Sequence, residues 1–252
     1  AFPVQRMRKL EFFGIPARDN PDRIQLIDGL RGLSILLMIA YHFGYDLIIF
    51  VGAPDWLIFN PVLDILQPFF AGVFIFLSGI SCRFSKSNLR RGLRMLGAAC
   101  VITLVTYFMG YPVWFGIIHF LGAGAIIFSL LRPAIDRISR PVQFLIYITL
   151  YVCSIQFTGR VYNISWLWWL GLRPDGWFSA DYFPILPWIF IYLCGTLAGT
   201  YIVEKRLPEK FYTFRVPVLA AIGRHTMLIY LVHQPVLYIL TLLINAVIHS
   251  LL

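Results

Sequence analysis

The sequence predicts an all-α, polytopic transmembrane bundle of about seven spans, and three observations carry that prediction. Of 252 residues, 59% are hydrophobic and 13% charged, with a mean hydropathy of +0.77. A water-soluble surface cannot accommodate that balance. The apolar residues gather into stretches of about 20, the length that carries a helix across the hydrocarbon of a bilayer. The basic residues between these stretches alternate in density from one connection to the next, as they do when one side faces the cytoplasm.

In chain order the spans fall near 28–51, 58–82, 93–111, 114–132, 142–158, 183–203 and 217–249, the last with a bend expected at Pro235. An inside N-terminus puts all but Arg160 and Arg173 of the 21 Lys and Arg residues on the cytoplasmic side. The predicted topology is therefore N-in, C-out, and it accounts for the net charge of +9 without nucleic acid. Seven spans and short loops use nearly the whole length, so residues 1–252 are expected to form a single domain. Residues 1–25 carry charge and scattered aromatics but no apolar core followed by a cleavage site. They read as a cytoplasmic interfacial segment on the inner leaflet rather than a signal peptide.

Two connections stand out. The 83–94 loop concentrates Arg83, Lys86, Arg90, Arg91 and Arg94, which suits positive-inside topology and would equally suit a phosphate-bearing ligand. The long outer loop, 159–182, holds Trp166, Trp168, Trp169, Trp177 and Tyr182. These are belt aromatics at headgroup level or a stacking platform for a sugar or lipid headgroup. Cys82, Cys100, Cys153 and Cys194 lack the paired spacing of a metal site or a disulfide framework and read as small buried residues. Asn163-Ile164-Ser165 is a sequon that matters only in a glycosylating secretory pathway. No phosphate-binding glycine loop occurs, which argues against coupling to ATP.

The chemistry lies in ionisable groups within or beside the spans: Asp28, Arg31, His42, Asp46, Asp64, His119, Asp181 and His233. Such groups are costly in a bilayer and mark function by default. IDGLRGLSILLMIAYHFGYD, as a helix, brings Asp28, Arg31, His42 and Asp46 onto one stripe roughly 60° wide, with Arg31 and His42 about 16 Å apart along the axis. His42 and Asp46 stand one turn apart, so the carboxylate is expected to orient the imidazole as a general base. His119 should lie at similar depth, Asp64 and Asp181 at the starts of their spans, and His233 nearer the midplane beside Tyr230. His225 and His249, at span ends, read as interfacial. Asp28 and Arg31, at i and i+3, are placed to neutralise each other.

The first-span segment resembles the opening signature of integral-membrane acyltransferases, in which an Arg and a His are separated by ten residues. Here these are Arg31 and His42. GIIHFLGAGAIIFSLL, DYFPILPWIFIYLCGTLAG and GRHTMLIYLVHQPVL resemble successive blocks of bacterial proteins grouped with the catalytic domain of heparan-alpha-glucosaminide N-acetyltransferase, in order over about residues 24–240. The resemblance implies transfer of an acetyl or other acyl group from acetyl-CoA or another acyl-CoA to an acceptor at the opposite membrane face. It implies His42 as the catalytic base and Arg31 as its companion. The lysosomal enzyme's active-site His belongs to the loop after its first family helix, whereas this chain has no His between Asp46 and Asp64. The reaction is therefore implied, and the lysosomal sugar is not.

On this reading the catalytic candidates are His42, Asp46, His119 (oxyanion or acceptor) and Asp181. Arg31, Arg83, Arg90, Arg91, Arg94 and His233 would receive acyl-CoA. The acceptor would be a sugar, a lipid or a small molecule, and the setting a bacterial cytoplasmic membrane, with small-residue faces that permit a homodimer. Two other classes fit the intramembrane charges: a proton-coupled transporter or flippase, and a non-catalytic partner in an envelope complex.

Overall fold

The computed structural model describes residues 23–251. The interfacial segment expected at 1–25 therefore lies almost wholly outside the described residues. The chain is helical, with no strand among the described residues. Seven of its helices are long and apolar enough to cross a membrane, in agreement with the fold expected from sequence. It is an integral, multi-pass membrane protein. The chain divides into two compact units, one formed by residues up to Phe74 together with Pro208 onward, the other by Ile75–Leu207.

The first unit begins with α1 (Gln25–Asp46), whose last turn passes into a π-helical turn at Leu47–Val51. Gly52, at φ +76°, ends it in the left-handed region that glycine adopts without penalty. Asp28 in the first turn suits the positive end of the helix dipole. Arg23 Nε and Arg31 Nη1 each approach its carboxylate at 2.9 Å, so the expected Asp28–Arg31 pair is present with Arg23 as a third member. A short 3-10 turn (Asp55–Leu57) leads into α2 (Pro61–Phe84), which continues into the second unit.

The chain returns to the first unit through α7 (Glu209–Thr213), α8 (Pro217–Arg224) and α9 (Thr226–Leu251). The seventh span was expected to run from 217 with a bend at Pro235. Instead it breaks at His225 (φ −111°, ψ 16°), and α9 continues through Pro235. Just before the break, α8 lies so close to α1 that a Cβ on Gly223 would fall 1.7 Å from the Asp28 carbonyl oxygen. Pro235 is exposed, and a membrane helix tolerates a proline where neighbouring groups restore its hydrogen bonds.

The second unit contains the end of α2, then α3 (Asn88–Phe108), α4 (Ile117–Ile135), α5 (Arg140–Thr158) and α6 (Ile185–Val203). Its core gathers Ile75, Phe120, Phe128 and Tyr192, with α2 against α6 at Gly79 and Gly195. A Cβ at either glycine would come within 2.1 Å of a carbonyl oxygen of the facing helix. Small residues thus let these backbones meet, as membrane helix pairs require. Large apolar side chains such as Phe108 and Leu130 stand 79% and 71% exposed, a surface suited to lipid and not to water.

Arg140 at the start of α5 donates to Glu204 just beyond α6, and Arg206 Nε lies 2.8 Å from the second carboxylate oxygen. The hydrogen bond from Arg140 holds the Glu204 carboxyl below its ordinary value. A carboxylate lowered on folding contributes stability that is fully present above its unfolded pKa and lost as pH falls through the folded one. The wild type is therefore expected to melt above Glu204→Gln near neutrality and to lose that margin in acid. Melts that stay equally spaced from neutral to acid pH would remove this pair from the account of stability.

Candidate active site

In the first unit α1 and α9 run in the same direction. Three contacts in order join them: His42 with His233, Asp46 with Gln234, and Phe50 with Tyr238. The His42 and His233 ring centroids are 5.2 Å apart at 56°, and Tyr230 lies 5.3 Å from His233 on its own helix. His233 Nδ1 is 2.5 Å from the Tyr230 carbonyl oxygen. A carbonyl only accepts, so Nδ1 carries the proton and Nε2 the lone pair. Among the described residues no group hydrogen-bonds the His42 ring; it packs against Tyr41 and His233. A neutral imidazole whose lone-pair nitrogen is not taken by a protein donor is what a general base requires.

Asp46 shares the face of His42 as the i, i+4 spacing predicts, but its carboxylate is turned to another partner. Both of its oxygens accept from Gln234 Nε2 at 3.0 Å, and the residue is 3% exposed. His233, assigned from sequence to the acyl-CoA side, is the ring that lies against His42. Gln234 was missed by sequence reasoning; the available signal was a polar amide next to His233 within an apolar span.

His119 and Asp181 come together in the second unit, at the start of α4. His119 Nδ1 accepts from the Gly116 N–H at 3.2 Å, and Asp181 Oδ2 accepts from the Ile117 N–H at 2.9 Å. These two bonds satisfy backbone donors that the first turn of a helix leaves open. With Nδ1 accepting, Nε2 carries hydrogen and meets Thr103 Oγ1 at 3.0 Å, whose own hydroxyl donates to the Val113 carbonyl at 2.6 Å. Both nitrogens of His119 are thereby engaged. The signal for this was local: Gly116 and His119 have the N-cap and N3 spacing of a capping box.

Phe115 stacks on His119 at 5.7 Å, and the outer-loop aromatics continue from it: Trp168 at 6.3 Å, Trp177 stacked 5.7 Å beyond, then Tyr182 at 4.7 Å. Arg173 lies over the Tyr182 ring. Burial pushes the Tyr182 phenol up to about 12, so it stays protonated and donates to the Trp168 carbonyl at 2.6 Å. Trp166, in contrast, is exposed.

The arginines divide in the same way. Arg31 belongs to the first unit and the 83–94 group to the second. Arg83 is inward: its side chain is 5% exposed, bonds the Thr196 carbonyl and Asp136, and lies over Phe128. Arg91 is held by Ser78 Oγ at 2.9 Å and by Cys82, within a network that includes the Cys82–Tyr192 contact. Arg90 and Arg94 are exposed.

The catalytic-domain family of heparan-alpha-glucosaminide N-acetyltransferase matches residues 23–235, which include the His42 cluster, the His119 cluster and the basic loop. The chain belongs to that family. Among curated proteins and among solved structures, nothing matches. Membership gives the general class of a membrane acetyltransferase. Within this family member, the match ends at Pro235, directly after His233 and Gln234, so all members of the first-unit cluster lie inside it.

Proposed function

We propose that the protein moves an acetyl or longer acyl group from cytoplasmic acyl-CoA to a hydroxyl or amine of an extracytoplasmic glycan, lipid-linked sugar or small metabolite, with its N-terminus on the cytoplasmic side of a bacterial cytoplasmic membrane. The observation that carries this reading is the His42 ring, set within a span against the His233 ring and without a hydrogen bond to any described group. In the reaction, the acceptor's oxygen or nitrogen attacks the thioester carbonyl carbon and gives its proton to His42. The tetrahedral intermediate then collapses, the carbon–sulfur bond breaks, and the coenzyme A thiolate takes that proton from the imidazolium. His233, whose Nε2 holds a lone pair, is suited to share the positive charge that His42 acquires.

The phosphates of the donor suit the exposed Arg90 and Arg94 of the second unit, because guanidinium forks match phosphate oxygens. Arg83 and Arg91 support the basic loop from inside the second unit, and His119 with Asp181 fixes the start of α4. Family membership supports a glycan as one acceptor class.

The test is release of free coenzyme A from acetyl-CoA by the purified protein, with and without a pool of amino sugars and envelope lipids. Acceptor-stimulated release is expected, together with a raised melting temperature. Ligand at 100 times its Kd stabilises by about 2.7 kcal/mol. Absence of both release and stabilisation would sink the thioester reading.

A further inference from the structure

The two ends of the Gln234 amide are treated unequally. Its Nε2 is committed to both oxygens of Asp46, while its Oε1 is buried and has no hydrogen-bond partner among the described residues. A carboxylate only accepts, so Asp46 dictates which way the amide faces. The carbonyl oxygen must then point away from Asp46. Buried acceptors in native proteins are almost always satisfied, and hydrocarbon offers no donor. The residue before it, His233, packs on His42, and Asp46, which holds the amide, stands one turn from His42 on α1.

We propose that Gln234 Oε1 accepts a hydrogen bond from the acyl acceptor, from a hydroxyl or N–H next to the group that is acylated. Asp46 is the positioning residue that fixes the amide. The acceptor class is then one with two neighbouring donors, a vicinal amino alcohol or diol, rather than a lone alcohol or amine. This rests on the reading of His42 as base: one donor gives up its proton to His42 while its neighbour is held by Gln234. Sites that bond a substrate hydroxyl discriminate strongly against the analogue without it, because their own polar group is otherwise left unpaired.

The wild-type protein in lipid nanodiscs is given acetyl-CoA with either trans-2-aminocyclohexanol or cyclohexylamine, and rates are compared per unprotonated amine because the neighbouring hydroxyl also makes the ammonium more acidic. The amino alcohol is expected to be acetylated at least about ten-fold more efficiently, equivalent to about 1.4 kcal/mol. In Gln234→Met that preference is expected to fall to within about two-fold of unity. Gln234→Lys keeps a donor for Asp46 while deleting the acceptor, and should show the same collapse; it also serves if the methionine variant fails to fold. A preference retained in either folded variant overturns the assignment. So does a wild type that is stabilised by acetyl-CoA yet acetylates the two amines equally, or neither. Failure of the underlying acyltransferase reading has a different signature: acetyl-CoA then neither stabilises the protein nor is cleaved.

Discussion

His42→Ala is expected to abolish acceptor-stimulated release of coenzyme A while leaving thermal stabilisation by acetyl-CoA intact. General-base catalysis by a positioned side chain contributes typically about 10²–10⁴-fold, and a neutral hydroxyl needs such a base to attack the thioester directly. The expected loss therefore lies in that range for a hydroxyl acceptor. It is smaller for an amine, which is already nucleophilic when unprotonated. Because His42 has no hydrogen bond among the described residues, removing its ring orphans no partner, and the fold should survive the change. Single-turnover assays separate the chemical step from binding. Full turnover by a folded His42→Ala protein would remove this residue from the mechanism. Loss of acetyl-CoA stabilisation alongside activity would instead assign His42 to donor binding.

The spans were legible because hydrocarbon imposes a length and a composition that no other environment demands. The Asp28–Arg31 pair was legible for a similar reason: both partners lie on one helix, where spacing fixes contact. Contacts between helices were not. His42 and Asp46 share a face as their spacing requires, yet which of them meets His233 and which meets Gln234 depends on the register of α1 against α9. Nothing in either segment alone specifies that register. His119 differs again: its intramembrane position suggested chemistry, and the structure adds a local role, its Nδ1 accepting from the Gly116 N–H three residues before it at the start of α4. The arginines of the 83–94 loop shared one apparent purpose in sequence. Helix geometry turned Arg83 and Arg91 inward and left Arg90 and Arg94 outside.

The register between α1 and α9 is set at a distance from the site, and Gly32→Leu is expected to damage both stability and activity. A Cβ on Gly32 would lie 2.1 Å from the Leu219 carbonyl oxygen and 3.1 Å from the Gly223 nitrogen, both backbone atoms of α8. Neither can rotate away as a side chain would. Even alanine there should force the helices apart, and overpacking of this kind costs about 1–3 kcal/mol, with leucine beyond that. Gly97 provides the control: it lies in α3 with nothing within 4 Å of a built Cβ. Gly97→Ala should be neutral or slightly stabilising, because alanine is favoured over glycine by about 1 kcal/mol in a helix interior. Melting temperature and detergent-monodisperse yield should thus fall steeply for Gly32→Leu and hold for Gly97→Ala. Activity should follow, for α8 leads directly into α9, which carries His233 and Gln234, while Gly32 shares α1 with His42 about 15 Å farther along. Separating α1 from α8 therefore shifts the base relative to its neighbours. If Gly32→Leu folds with an unchanged melting temperature, the close approach of α1 and α8 is wrong. If it is destabilised yet fully active at low temperature, the His42 cluster does not depend on that approach.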